Sequence, residues 1–527
     1  MIQIQVTVPF GYEKTELMSA ISAHIPVSAS EILDLRVLKE TLLTDLRPDF
    51  FCRLTVALSL APEREAGLLK MKKRVLPYTE PTFSLPKTNA PHRPVVVGAG
   101  PAGLFAALSL SEAGLCPILI ERGLPADERT RRVGQFYQSR NLDPECNIQF
   151  GEGGAGTFSD GKLKVGQMDK YKWKILSTMV DLGAPPEILY QSAAHVGTDL
   201  LTQVVMRLRA QILALGGEVH FSTKVTKLLV KDGHIRGVLA EQTDGQRIFD
   251  TDTVFLGTGH SARDVFSMLK EQGIPMTAKG FGVGVRIEHP REYIDSLVYG
   301  KGHPDTLPTA SYHLVTHLEN GRSVYSFCMC PGGSVVAATS EQNSIVTNGM
   351  SEHSRNGKNS NAALLVSVTP DDFGSGDALA GLAYQEKIEK RAFALAGGEY
   401  RAPAVRLGDF LDRRVTAEFG EVTPTYPLGT VFADFDEVLP SYITDSLRAA
   451  IGDFDEWLPG YRLDDALLTA PETRSTSPVR VLRTTSYVAE TLGGLYPIGE
   501  GAGYSGGIVS SAADGMRAAE AYILSLS

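Results

Sequence analysis

Alternating apolar and polar positions open the chain: Ile2, Ile4, Val6 and Val8 are separated by Gln3, Gln5 and Thr7, the period-two pattern of a strand with one buried face. Glu13 to His24 predicts a helix, and Ile32 to Leu38 and Phe51 to Leu60 predict further strands. Residues 1–75 therefore read as a small α+β domain. Pro77, Pro81, Pro86, Pro91 and Pro94 keep the following chain extended, which marks 76–94 as a Pro-rich linker.

From residue 95 the texture changes to short, wholly apolar runs. Pro94 to Val97 predicts a buried strand, Leu104 to Ala113 an apolar helix and Cys116 to Ile120 a second strand, the β-α-β order of a parallel sheet. Glu218 to Val225, Lys227 to Lys231 and Ile235 to Ala240 read as antiparallel strands, with turns at Asp232-Gly233 and Asp244-Gly245. An irregular mixed pattern follows from about Ala278 to Leu482, after which strand, glycine loop and helix (Ser510 to Leu524) return. The predicted class is α/β: a Rossmann-like domain split in sequence between 95–277 and 483–527, an inserted mixed α/β substrate domain at 278–482, and the small N-terminal α+β domain.

Composition narrows the chemistry. The 52 glycines among 527 residues are close to 10%, above the roughly 7% of an average protein. A net charge of −10 opposes a broad grip on nucleic acid or anionic lipid. The basic run Lys70-Met71-Lys72-Lys73-Arg74 is a local exception that leaves an RNA partner as an alternative. No run of 18 apolar residues spans a membrane, and the opening residues lack a signal-peptide pattern. Five cysteines make no extracellular disulfide framework, and Cys328 with Cys330 is half a zinc site, so no metal is expected. The expected setting is cytoplasmic.

The glycine is not spread evenly. Gly98-Ala99-Gly100-Pro101-Ala102-Gly103 matches G-x-G-x-x-G between a predicted strand and helix. There the first glycine permits a tight turn, the second lets backbone approach a pyrophosphate, and the third allows close helix–strand packing. The helix N-terminus offers unpaired N–H groups and positive dipole to phosphate. Glu121 ends the next strand about 23 residues on, near the ~20-residue spacing of a ribose-binding acid. Arg122 and Arg129 read either as solvated charges or as cover for the adenosine half. A second cluster, Phe150 to Leu163, carries five glycines in eleven positions and reads as a loop pressed against a ligand, with Gly153, Gly154 and Lys162 as candidate contacts. Val225 joins them at the end of its predicted strand. Two further glycine turns follow buried strands, at Gly257-Thr258-Gly259 and Gly499-Glu500-Gly501, and Gly506-Gly507 opens the last helix.

These marks together resemble two-domain FAD oxidoreductases of the glutathione-reductase structural type. The strings Asn147 to Gly156, Ser326 to Gly333 and Ala470 to Ser475 make the sequence more closely similar to a bacterial and plastid family of FAD-dependent dehydrogenases. The resemblance implies FAD as cofactor, with pyrophosphate at Gly98–Gly103, adenosine ribose on Glu121, the ribityl chain on Glu500 and the flavin pyrimidine at the N-terminus of the last helix. Aspartate is commoner at the position of Glu500. Between Leu163 and Asp252 no second G-x-G-x-x-G follows a strand, so NAD(P)H is a donor only without a dedicated domain.

The resemblance implies hydride transfer between a small-molecule substrate and the flavin. The alternatives are a flavoprotein acting on RNA and a non-catalytic nucleotide-binding regulator; nothing in the sequence indicates an oligomeric state. Cys328 and Cys330 are candidate redox thiols, although on a regular strand residues two apart lie near the ~7 Å limit for bridging. His260 is the first candidate proton carrier, ahead of His195, His289, His313 and His317. Glu472 and Arg474 read as an ion pair or as a clamp on a carboxylate.

Overall fold

A computed structural model describes residues 1–163 and 166–526; the side chain of Lys73, within the basic run, lies outside the described residues. The opening alternation folds as expected. Ile2–Pro9 lies in a four-stranded sheet of order Asp34–Leu43, Phe51–Ser59, Ile2–Pro9, Leu76–Pro77, and Ile2, Ile4, Val6 and Val8 are buried under the helix Lys14–His24. The exposed side of Asp34–Leu43 meets the next unit, where the Glu40 N–H donates to the Tyr190 carbonyl (2.8 Å) and the Ser192 N–H donates to the Glu40 carbonyl (2.9 Å). The proline-bearing segment is strapped down rather than free: Phe83, Leu85 and Ala90 are partly buried against the core of the parallel-sheet unit.

That unit is a five-stranded parallel sheet of order Leu495–Pro497, Val254–Leu256, Val95–Val97, Ile118–Ile120, Glu218–His220. Leu495–Pro497 sits beside Val254–Leu256, so the C-terminal segment completes a sheet begun about 400 residues earlier. The helix predicted from Leu104 begins at Pro101, since proline is pre-set for the first helical position and needs no N–H there. Against it packs Ile508–Ser525, so closely that a Cβ on Gly515 would lie 2.1 Å from the Ala102 carbonyl oxygen. One strand assignment is corrected. Glu218–His220 is the fifth parallel strand, and the chain breaks at Ser222 (φ +49°) before Lys224–Lys231 starts a separate antiparallel sheet with His234–Gln242 and Gly245–Asp250.

The inserted region holds a seven-stranded sheet of order Val315–His317, Ser323–Cys330, Asn359–Val368, Phe281–Pro290, Leu467–Glu472, Ala402–Arg406, Thr430–Phe432. Its central strands are buried on both faces, with nine buried residues of ten in Phe281–Pro290, so no alternation marks them in the sequence. The chain enters and leaves through a two-stranded antiparallel ribbon, Met276–Ala278 with Val479–Val481. Among the described residues no helix is long and apolar enough to cross a membrane, and no group of three or more His, Cys, Asp and Glu is placed to hold a metal.

Candidate functional site

A cavity of about 280 Å³ opens where Val95–Val97, Val254–Leu256 and Leu495–Pro497 end, the position at which parallel sheets bind ligands. Its floor is glycine backbone. Gly98 turns with φ +97°, its N–H donates to the Ile120 carbonyl (2.7 Å), and a Cβ there would lie 2.4 Å from the Gly257 carbonyl oxygen. Gly98, Gly100, Pro101 and Ala102 line the cavity from the first loop, and Gly257 and Gly259 from the second. Gly154, Lys162 and Val225 line another side, and Gly499, Glu500, Gly506 and Gly507 close the C-terminal one.

Gly103, Gly153 and Cys330 do not face it. Gly103 is a packing glycine, where a Cβ would meet the Gly98 carbonyl oxygen at 1.8 Å. Gly153 faces the Thr157 hydroxyl, at 2.0 Å from a built Cβ, while its N–H donates to the Ala99 carbonyl (2.8 Å). Cys330 is fully buried behind Cys328, which itself lines the cavity.

The acid after the second strand is tied to backbone. The Glu121 carboxylate lines the cavity and accepts from the N–H groups of Ala99 (2.8 Å), Gly123 (3.0 Å) and Gly151 (3.0 Å), tying three loops together. Arg122 also lines the cavity, but its guanidinium is spent on Asp264 (2.9 Å) and stacks over Phe150 at 4.5 Å. Arg129 is neither solvated nor a nucleotide cover. It is wholly buried and donates to the carbonyls of Asn147 (2.9 Å), Ile148 (2.8 Å), Glu152 (2.8 Å) and Gly154 (2.9 Å). Burial lowers its pKa to about 10. A Cβ on Gly151 would strike the Arg129 side chain at 2.4 Å, so this arginine accounts for part of the glycine content of Phe150–Leu163.

Two helix N-termini meet the cavity. Pro101–Glu112 starts after Gly100 and Ile508–Ser525 after Gly507, and neither has a side-chain cap. Their first N–H groups are thus left for a ligand. Beside the second, burial lifts Glu500 to about 7, although the Gly507 N–H and the Lys279 charge favour its ionised form.

The inserted region supplies the opposite wall: Phe327, Cys328, Asn348, Glu472 and Arg474. Cys328 breaks its strand. It has φ +40°, and pairing with Asn359–Val368 slips between Phe327 and Cys330. Glu472 and Arg474 do not pair with each other. Glu472 accepts from Arg286 (3.2 Å) and is lifted by burial to about 7. Arg474 pairs with Glu389 (2.9 Å), which also takes Arg263 (3.0 Å); against its burial these two guanidiniums hold Glu389 down at about 2. His260 lines the cavity next to this cluster, and burial, then Arg474 and Arg263, lower it to about 4. Of the other histidines, His195 stacks on His353, His289 is buried against the Tyr461 carbonyl, and His313 and His317 are exposed. None of these four lines the cavity. Asn348 and Arg286 have no signal in the sequence: each lies in a strand and is defined only by its cross-strand partners.

A split parallel sheet with glycine turns and uncapped helix N-termini around one cavity defines a Rossmann-type nucleotide-binding protein. Residues 280–475 match the family described as FAD-dependent protein, C-terminal domain-like. An uncharacterised protein of Clostridium beijerinckii is 47% identical over 430 residues, covering 81% of this chain and 80% of that one. The chain belongs to the same family as that protein, and its residues 280–475 carry the segment described as FAD-dependent protein, C-terminal domain-like. An 86-residue stretch is 29% identical to one component of the ferredoxin:CoB-CoM heterodisulfide reductase of Methanosarcina acetivorans, covering 16% of this chain and 11% of that one. Among solved structures, E. coli quinol fumarate reductase is similar at 13% identity with a TM-score of 0.34, over 85% of this chain and 71% of that one.

Proposed function

We propose that the glycine-floored cavity holds FAD and that the protein is an oxidoreductase passing hydride between a small-molecule substrate and the flavin. The observation that carries this reading is the meeting of both uncapped helix N-termini and all four glycine segments on one cavity, closed opposite by polar side chains of the inserted sheet. The fit rests on open backbone. A Cβ on Gly506, Gly507 or Gly259 would meet nothing within 4 Å, and one on Gly100 only Gly154 at 3.9 Å, so a flat or anionic group can lie directly on the main chain there.

Bound FAD supplies a ring that accepts or releases a hydride. The first N–H groups of Pro101–Glu112 receive its pyrophosphate, and Glu121, already fixed by three N–H donors, presents its remaining acceptor capacity to the adenosine ribose. Glu500, with the Lys279 charge favouring its ionised form, would hold the ribityl hydroxyls. The N-terminus of Ile508–Ser525 would face the pyrimidine edge, where its dipole would stabilise negative charge. The substrate side is the wall of Cys328, Asn348, Glu472 and Arg474.

The test is purification with and without added FAD, followed by anaerobic mixing with NADH, NADPH and a metabolite library. A yellow protein bleached by one of these supports the reading. A colourless protein that takes up no FAD, or a yellow one that nothing bleaches, counts against it.

A further inference from the structure

A regular strand would hold Cys328 and Cys330 near the limit for bridging, but this strand is not regular. Between Phe327 and Cys330 the chain advances three residues while its neighbour, Ala363 to Asn361, advances two. The extra residue is a bulge, and Cys328 absorbs it at φ +40°, a left-handed conformation that non-glycine residues seldom adopt. The consequence is that the second cysteine folds back on the first, its thiol reaching the Cys328 carbonyl (3.2 Å).

The surroundings hold this pair in place and charge it. Arg286 donates to the Cys328 carbonyl (2.8 Å) and Lys162 to that of Met329, so two cations flank the bulge. The contact from Cys330, then the Arg286 and Lys162 charges, pull the Cys328 thiol below its ordinary range against its burial. A lowered thiol beside cations, open to a cavity, is the setting of a reactive cysteine rather than a packed one. Behind it, Cys330 is fully buried and its thiol is pushed up by the same contact and by burial. Gly333 lies so near that a built Cβ would approach the Cys330 Cβ at 3.1 Å, so the backbone packs closely against the second cysteine. Beside Cys328, Phe327 is 38% exposed and forms an apolar part of the same wall.

We propose that Cys328 and Cys330 are a redox-active dithiol on the cavity wall, Cys328 attacking and Cys330 resolving, and that its substrate is a small organic disulfide. The Cys328 sulfur bonds to one sulfur of the substrate, whose S–S bond breaks, and the second sulfur leaves as a thiolate. Cys330 then loses its proton, its sulfur bonds to that of Cys328, and the first substrate sulfur leaves. The substrate gains two electrons and the cysteine pair loses them; one departing thiolate takes the Cys330 proton and the other a proton from water. Return to the dithiol takes two electrons and two protons, and only this return rests on the flavin reading above.

The experiment uses the full-length protein with FAD content recorded by absorbance. Samples are treated with an oxidised dithiol reagent, trans-4,5-dihydroxy-1,2-dithiane, or with hydroxyethyl disulfide, then alkylated and digested with trypsin. Residues 323–355 form one tryptic peptide containing both cysteines and no other. The expected result is loss of two hydrogens from this peptide, reversed by dithiothreitol, with Cys116, Cys146 and Cys52 still alkylated. Cys330→Ser should trap a mixed disulfide with hydroxyethyl disulfide on Cys328, and Cys328→Ser should leave Cys330 unmodified. Both variants are compared with wild type by far-ultraviolet circular dichroism and urea midpoint, which report folding independently of FAD. Unmodified Cys328 in wild type and in a folded Cys330→Ser protein overturns the proposal. Formation of the bridge in protein that takes up no FAD upholds the dithiol and removes the flavin reading instead.

Discussion

The Arg286 guanidinium donates to the carbonyl oxygen of Cys328 at 2.8 Å, reaching past the intervening strand Asn359–Val368. Its other donors go to Glu472, Asn361 and Asn348, so all five N–H groups of a wholly buried cation are used. Lysine offers a point charge and cannot reproduce that fork. Removing one partner of a buried pair leaves the other uncompensated, at a cost of ~3–5 kcal/mol. Arg286→Met should therefore lower the free energy of unfolding in urea by about that amount, while Arg286→Met combined with Glu472→Leu recovers part of it. A loss under ~1 kcal/mol in the single variant would mean that the pair does not hold the wall together.

The glycine loops separate into those that pack and those that leave room. Gly98 has φ +97° and backbone 2.4 Å from its missing Cβ, so Gly98→Ala should cost roughly 2–4 kcal/mol and lower the yield of folded protein. Gly506 lines the cavity with nothing within 4 Å of a Cβ. Gly506→Ala should keep the urea midpoint of the apoprotein and weaken FAD retention. Equal loss of stability in both variants would refute the distinction.

The same contrast explains which parts of the site are legible in the sequence. Glycine requirements are local, written into the residues that turn or touch, so Gly98, Gly257 and Gly499 can be placed on one site from their motifs alone. Arg129 cannot. Its acceptors are main-chain carbonyls 18–25 residues away, and carbonyls carry no side-chain signature. The two-residue offset of Cys328 and Cys330 misleads for a related reason, because a bulge is decided by the register of the neighbouring strand. The strands of the inserted sheet are hard to read because burial on both faces erases the period-two signal on which such a reading depends.

Glu500 bears on the cofactor directly. With burial lifting it to about 7, the apoprotein carries it as a mixture of acid and carboxylate near neutrality, and hydrogen bonds to ribityl hydroxyls would favour the carboxylate. Glu500→Ala should raise the FAD dissociation constant roughly tenfold, the worth of about one such bond, with Glu500→Gln between the two. Isothermal titration of apoprotein measures this, and an unchanged constant in Glu500→Ala would remove this residue from the cofactor site.

His260 makes a pH prediction of definite sign. It stands beside Arg474 and Arg263, with Glu389 the opposing charge and Lys279 a further cation, and its folded pKa is lowered to about 4 by burial first. In the unfolded chain a histidine titrates near ~6.5. Between about pH 4 and 6.5 the unfolded state therefore binds more protons than the folded one, and stability rises with pH across that window. The contribution is complete above the unfolded value and lost as the medium becomes acidic. His195 and His289 are lowered in the same way, so the comparison has to be made by difference. The stability of wild type minus that of His260→Gln, from urea midpoints at fixed ionic strength, should grow from about pH 4 to 6.5 and then level off. Parallel curves over that range would show that His260 titrates alike in both states, and would place it in contact with water rather than in the cation-lined wall.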